Sequence, residues 1–188
     1  IAGPCSAESR EQVLATAAGL AEMDIAYFRA GIWKPRTQPG AFEGVGRTGL
    51  PWLSEVKERH GLKVCTEVAN AQHVEDALKA GIDMLWIGAR TTTNPFQVQD
   101  IADSLAGVDV PVAIKNPTHP DLALWLGAFE RLDGAGIKDL MAIHRGFAVH
   151  GQKKFRNAPL WQIPIDFRNR LPHIPLINDP SHICGNRA

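Results

Sequence analysis

Residues 84–115, MLWIGARTTTNPFQVQDIADSLAGVDVPVAIK, decide the fold. Met84 to Ile87 is a short apolar run that reads as a strand passing into Gly88-Ala89-Arg90. Pro95 stands where a first helical turn begins, because its fixed φ suits that position and its missing N–H is not needed there. The helix extends to about Ala106. Val112 to Lys115 is a second apolar run. No hairpin signal lies between the two runs, so they read as parallel strands joined through a helix.

The same unit recurs on both sides. Toward the N-terminus come a helix over Ala71–Ala80 closed by Gly81, a strand over Leu62–Val68 and a helix over Pro51–Arg59. Before these lie a strand over Ile25–Arg29, a helix over Ser9–Met23 with Val13, Leu14, Ala17 and Leu20 on one side, and a strand over Ile1–Cys5. Toward the C-terminus a helix over Asp121–Leu132 precedes a strand over Leu140–Ile143, which ends at His144-Arg145-Gly146. A longer connection and a short helix lead to a last strand over Pro175–Asn178 and the turn Asp179-Pro180-Ser181-His182. Seven such strands favour a closed (β/α)8 TIM barrel over an open sheet. That barrel takes about 250 residues. The 188 residues stop one strand–helix unit short, so the expected architecture is a single, partial TIM-barrel domain over 1–188. The chain opens on strand-like sequence without Met, which reads as a trimmed start.

Composition excludes several function classes. Lys+Arg and Asp+Glu both number 20, so no global field draws the chain to nucleic acid or to an acidic membrane. No apolar run approaches the roughly 20 residues that span a bilayer, and the first residues are not a signal peptide. Cys5, Cys65 and Cys184 are odd in number and far apart, which argues for a reducing, cytoplasmic setting over a disulfide framework.

Candidate site residues come from the strand ends. The predicted strands end at Cys5, Arg29, Glu67, Arg90, Lys115 and Arg145, and the last leads to His182. In a barrel these ends share one face, where ligands bind. Between Arg29 and Gly46 runs a loop rich in Gly and Pro that adds Lys34 and Arg36, with Pro35 stiffening the backbone between them. Taken alone that loop reads equally well as a solvated surface loop. Arg29, Lys34, Arg90, Lys115 and Arg145 together read as a site for a polyanion, with Arg suited to bidentate contact with phosphate or carboxylate. Cys5 and His182 are candidate ligands for one divalent metal, and sulfur with nitrogen favours a transition metal over Mg²⁺. Cys65 and Cys184 read as ordinary thiols, and His60, His73, His119 and His173 as solvated. His144 and His150 lie nearer the expected pocket without a clear role. The five Trp read as packing.

Six motifs in order then carry a resemblance: IAGPCSAES at 1–9, KPRT at 34–37, GAR at 88–90, IKN at 114–116, RG at 145–146 and DPSH at 179–182. Together they resemble 3-deoxy-D-arabino-heptulosonate 7-phosphate (DAHP) synthase of the type I class, nearest its beta branch. The resemblance implies a transferase of the shikimate pathway, the entry to aromatic amino acid biosynthesis. That enzyme condenses phosphoenolpyruvate with erythrose 4-phosphate on a TIM barrel that requires a divalent metal (Mn, Fe, Co or Zn). It implies Cys5 and His182 as two of four metal ligands, the others, a Glu and an Asp, lying outside these residues. Arg90, Lys115 and Arg145 become the phosphoenolpyruvate clamp, with Arg29 and Lys34 on its carboxylate side and Glu67 beside them. Arg36 and Thr37 become part of the aldehyde-phosphate site. Arg29, Lys34, Lys115 and His182 are the catalytic candidates, with Lys34 or His182 moving protons and no Schiff base needed at Lys115. His144 departs from the beta branch, which usually has an acidic residue there. The family also implies a homo-oligomer, dimer or tetramer, and allows a fused chorismate mutase domain outside this chain. Two alternatives remain: 3-deoxy-D-manno-octulosonate 8-phosphate synthase, against which KPRT at 34–37 speaks because that family typically has Asn before the Arg, and an inactive barrel fragment retaining only the anion site.

Overall fold

The computed structural model describes residues 1–185 and divides into two compact units, Ile1–Trp86 and a second from Ile87 onward. In the first, α1 (Arg10–Leu20) starts where the Ser9 hydroxyl accepts the Gln12 N–H, satisfying a donor that the helix itself cannot. It buries Val13 and Ala17. β1 (Phe28–Arg29) pairs in parallel with β2 (Val64–Val68), in the register Phe28↔Val64 and Arg29↔Cys65. Between them a 3-10 turn over Gly46–Gly49 runs into α2 (Leu50–His60), which ends where the left-handed Gly61 donates to the Lys57 carbonyl. α3 (Ala71–Lys79) is capped by Asn70, and β3 (Met84–Ile87) follows, with strand order β1-β2-β3. The expected first strand, Ile1–Cys5, is reduced to one parallel bridge, Ala2↔Phe28. Pro4 has no N–H with which to extend a ladder.

The second unit repeats the alternation. After a helical turn α4 (Ala89–Thr92), α5 (Pro95–Ser104) carries Asn94 as its cap and Pro95 at its start. Then come β4 (Val112–Lys115), α6 (Leu122–Gly134) capped by Asp121, β5 (Leu140–His144), α7 (Gln162–Arg170), β6 (Leu176–Asn178) and α8 (Pro180–Cys184) capped by Asp179. β4 and β5 are parallel with Lys115 opposite Ile143, and β5 and β6 are parallel with His144 opposite Asn178. All four β4 residues are buried, as in a parallel strand covered on both faces. Behind them Trp125 and Phe129 of α6 pack on Phe167 of α7, with ring centroids 4.3 and 5.0 Å apart. Each fully buried ring of this kind contributes up to about 3 kcal/mol.

Parallel strands alternating with helices in both units are the pattern of a (β/α) barrel. Six strands, not seven, are present among the described residues. Among those residues no helix is long and apolar enough to cross a membrane.

Candidate active site

In the first unit, the loop after β1 folds Lys34 back onto the N-terminal segment. The Lys34 amide donates to the Glu43 carbonyl at 2.8 Å and the Gly46 amide to the Ile32 carbonyl at 2.9 Å, closing the loop on itself. Its Nζ donates to the Cys5 carbonyl at 2.7 Å, lies 3.7 Å from the Cys5 sulfur and sits 3.7 Å from Glu67 Oε2. Lys34 is only 8% exposed, so its charge is stabilised by these contacts and not by bulk water. Glu67 also accepts from Trp86 Nε1 at 3.3 Å, and the Arg29 guanidinium lies over the Trp86 ring, 4.5 Å from its centroid. Arg29 Nη2 donates to the Cys5 carbonyl at 3.3 Å. Gly31 permits this approach: a Cβ there would lie 2.7 Å from Lys34 Nζ and 2.8 Å from the Cys5 carbonyl oxygen. Thr66, fully buried, stitches the loop to β2 by donating to the Ala30 carbonyl at 2.8 Å. Arg36 and Thr37 are exposed, and Arg36 donates to the Phe42 carbonyl.

In the second unit, Lys115 ends β4 and is 5% exposed. Its Nζ lies 3.1 Å from Asp179 Oδ2, and the same oxygen lies 2.7 Å from His182 Nδ1. Asp179 Oδ1 meanwhile accepts the His182 amide, capping α8. Burial alone would push the Asp179 carboxyl up. The His182 hydrogen bond and the Lys115 charge outweigh burial and hold it well below the usual carboxylate range. Arg145 follows β5 with its amide bonded to Asn116 Oδ1 at 2.7 Å and its Nη1 bonded to Asn157 Oδ1 at 2.8 Å. Burial, with Arg156 and Arg90 adding positive charge, lowers the Arg145 guanidinium to about 10, opposed by Asp179. Three arginines that repel one another at this end of the unit suit a bound anion. Asn157 Nδ2 donates to the His182 carbonyl at 2.6 Å, so one amide side chain ties the arginine to the histidine segment.

Sequence reasoning therefore found Cys5, Arg29, Lys34 and Glu67, which the first unit brings together, and Lys115, Arg145 and His182, which the second unit places in one hydrogen-bonded network. Arg90 is exposed on α4. It missed Asp179, Asn116, Asn157 and Arg156. Asp179 and Asn116 stand inside motifs that were read, next to residues that took the roles. Asn157 and Arg156 lie in an irregular connection whose sequence carries no periodic signal. Two expectations about histidines change. His73 is half-buried and stacked on Trp33, with ring centroids 4.1 Å apart and planes 7° apart. His144 is buried between Phe147 and Trp161, and burial lowers its pKa to about 4. His119, His150 and His173 are exposed. Cys65 is buried, which pushes its thiol up to about 12 and leaves it chemically inert.

Among the described residues no group of three or more His, Cys, Asp or Glu is placed to hold a metal. The two candidate ligands nonetheless have suitable surroundings. Asp179 on Nδ1 orients the His182 ring as a carboxylate orients a metal-ligating imidazole, and the Lys34 ammonium near the Cys5 sulfur is a neighbour that stabilises a thiolate.

Over residues 1–188 the chain matches the family described as the DAHP synthetase I family. The chain belongs to the DAHP synthetase I family. It is 31% identical over 187 residues to a phospho-2-dehydro-3-deoxyheptonate aldolase of Thermotoga maritima, an alignment covering 100% of this chain and 53% of that protein. It is also 30% identical over 155 residues to a 2-dehydro-3-deoxyphosphooctonate aldolase of Caulobacter vibrioides, covering 78% of this chain and 52% of that protein. The crystal structure of the Thermotoga maritima DAHP synthase superposes with a TM-score of 0.84 at 29% identity, covering 100% of this chain and 52% of that one. The chain thus spans about half the length of the curated relatives it matches. For a member of the DAHP synthetase I family, cations at the C-terminal ends of β1, β4 and β5 fall where barrel enzymes carry their ligand contacts.

Proposed function

We propose that this protein is a DAHP synthase, condensing phosphoenolpyruvate with erythrose 4-phosphate to give 3-deoxy-D-arabino-heptulosonate 7-phosphate and phosphate. The observation that carries the reading is the extent of the similarity. The heptonate aldolase aligns over the whole chain, whereas the octonate aldolase aligns over 155 residues. The buried cations of each unit supply the chemistry that such substrates demand.

Phosphoenolpyruvate carries a phosphate and a carboxylate. Arg90, Lys115 and Arg145 bind the phosphate. Arg29 and Lys34 bind the carboxylate, and Glu67, 3.7 Å from Lys34 Nζ, orients the lysine. Arg36 and Thr37 bind the phosphate of the aldehyde substrate. Carbon 3 of phosphoenolpyruvate attacks the aldehyde carbonyl, water adds at carbon 2, and the resulting tetrahedral phosphate ester expels phosphate. Lys34 Nζ holds the proton that the new hydroxyl receives. Catalysis is positioning plus charge stabilisation, so no covalent bond between Lys115 and substrate is needed.

Cys5 and His182 are the residues of this chain that would hold a divalent metal. Such a metal, Mn, Fe, Co or Zn, supplies Lewis acidity toward the aldehyde carbonyl. A cytoplasmic homo-oligomer is the proposed working form.

The test is loss of phosphoenolpyruvate on adding erythrose 4-phosphate to the full-length gene product, with and without a chelator. The reading predicts activity that the chelator removes, that added Mn²⁺ restores, and that Cys5→Ala abolishes. Activity indifferent to chelator would overturn the roles of Cys5 and His182. A full-length product with no activity and added metal present would overturn the synthase reading.

A further inference from the structure

His73 is the one histidine of the first unit whose ring meets another ring, and the ring it meets immediately precedes Lys34. Trp33 is 9% exposed, and the imidazole lies nearly parallel to it with centroids 4.1 Å apart. His73 is held in turn. Its amide donates to the Asn70 cap at 2.9 Å, and its Nδ1 accepts the Ala69 N–H at 3.3 Å. Accepting at Nδ1 requires the neutral ring with its proton on Nε2. Burial lowers the His73 pKa, with Arg47 acting in the same direction and Asp76 and Glu67 opposing. One helical turn after His73, Asp76 pairs with Arg47, just beyond the far end of the same loop. α3 therefore grips the loop at both ends: at Trp33 by stacking and at Arg47 by charge.

We propose that His73 is a positioning residue for Lys34. Its stack on Trp33 fixes the backbone at 33–34 and so holds the ammonium against the Cys5 carbonyl and Glu67. The loop is irregular and has no ladder of its own between Ile32 and Gly46 beyond the three backbone bonds donated by Lys34, Ala41 and Gly46. A side-chain clasp is then what limits its motion. An aromatic stack of this type changes the opening equilibrium by roughly five-fold.

The test uses the full-length gene product and compares wild type with His73→Ala and His73→Phe. Amide hydrogen exchange is followed at Lys34 and Gly46, with Gly61 at the end of α2 as an internal reference. His73→Ala is expected to speed exchange about five-fold at Lys34 and Gly46 and to leave Gly61 unchanged, while His73→Phe, which keeps a ring, stays close to wild type. Should the alanine variant not fold, His73→Gln, which keeps an acceptor for Ala69 but no ring, gives the same readout. Unchanged exchange in the ring-less variant, or equally fast exchange in the phenylalanine variant, would overturn the proposal. A kinetic arm rests on the synthase reading: KM for phosphoenolpyruvate should rise about five-fold in His73→Ala and return in His73→Phe, with KM for erythrose 4-phosphate unmoved. The exchange arm stands without that reading, so its failure and the failure of the synthase reading are distinguishable.

Discussion

Each unit buries a lysine beside a carboxylate, but the two pairs are built differently. Lys115 ends a strand and meets Asp179 at 3.1 Å, and Asp179 is gripped a second time by the His182 ring and a third time by its amide. Lys34 sits in a loop, lies 3.7 Å from Glu67, and makes its shortest contact with a neutral carbonyl, that of Cys5. The first arrangement is a fixed ion pair on regular structure. The second leaves a buried ammonium only loosely neutralised, on a segment held by side chains from elsewhere. A residue that must hold a proton for a reacting group is better served by the second, and one that must stay in place as a fixed charge by the first.

The sharpest way to break that contrast is to remove the charge on each carboxylate without changing its shape. Asp179→Asn strands Lys115 in a buried setting and takes away the partner of His182. It should cost about 3–5 kcal/mol in urea unfolding. Glu67→Gln should cost less, about 1–2 kcal/mol, because Lys34 keeps its bond to the Cys5 carbonyl. Equal costs would erase the distinction.

Next in size is Gly31→Ala. A Cβ at 31 cannot coexist with Lys34 Nζ at 2.7 Å and the Cys5 carbonyl at 2.8 Å, so the ammonium must move. A displacement near 1 Å should lower kcat/KM for phosphoenolpyruvate about 10²-fold. Unchanged kinetics would show that Lys34 works from another position.

The third prediction separates two titrating groups of the second unit by pH. His144, buried beside Arg145, has its pKa lowered to about 4 from 6.5, with burial the main cause and the Pro159 carbonyl and Asp179 opposing. The unfolded chain takes up this proton first as pH falls, so stability declines from about pH 6.5 toward pH 4. The depressed Asp179 carboxyl acts oppositely. Its contribution is present above its ordinary value and is lost only as pH falls through its much lower folded value, so it leaves pH 5–7 untouched. Between pH 7 and pH 5, His144→Phe should therefore lose about 2 kcal/mol less than the wild type. An identical pH response in both would remove His144 as the cause. The smallest effect is expected at Arg47, whose side chain is 64% exposed. Arg47→Ala should change global stability by less than about 1 kcal/mol, and a larger loss would mean that charge, not stacking, is the main grip of α3 on the loop.

Much of this was legible in the sequence where the signal is local. Helices start at Ser9, Asn70, Asn94 and Asp121 because each side chain satisfies an amide three or fewer residues on, a relation visible in any short window. Strands β3 and β4 appear as uninterrupted apolar runs because both faces are covered. The strand-end cations followed from these. The Ile1–Cys5 strand was overread because apolar residues do not reveal that Pro4 ends the pairing. What could not be read depends on distant partners: Asp179 with Lys115, Asn157 with Arg145 and Trp33 with His73 are 64, 12 and 40 positions apart. Only folding makes them neighbours. His73 illustrates the limit, since a histidine on a short helix with polar neighbours reads as solvated until its stacking partner is known.

The most direct test of the account is the choice of aldehyde. Initial rates of phosphate release from phosphoenolpyruvate would be compared for erythrose 4-phosphate and arabinose 5-phosphate, with the full-length gene product and added Mn²⁺. The account predicts turnover with erythrose 4-phosphate and little with the five-carbon sugar. Preference for arabinose 5-phosphate would contradict it and assign the chemistry to the octulosonate branch.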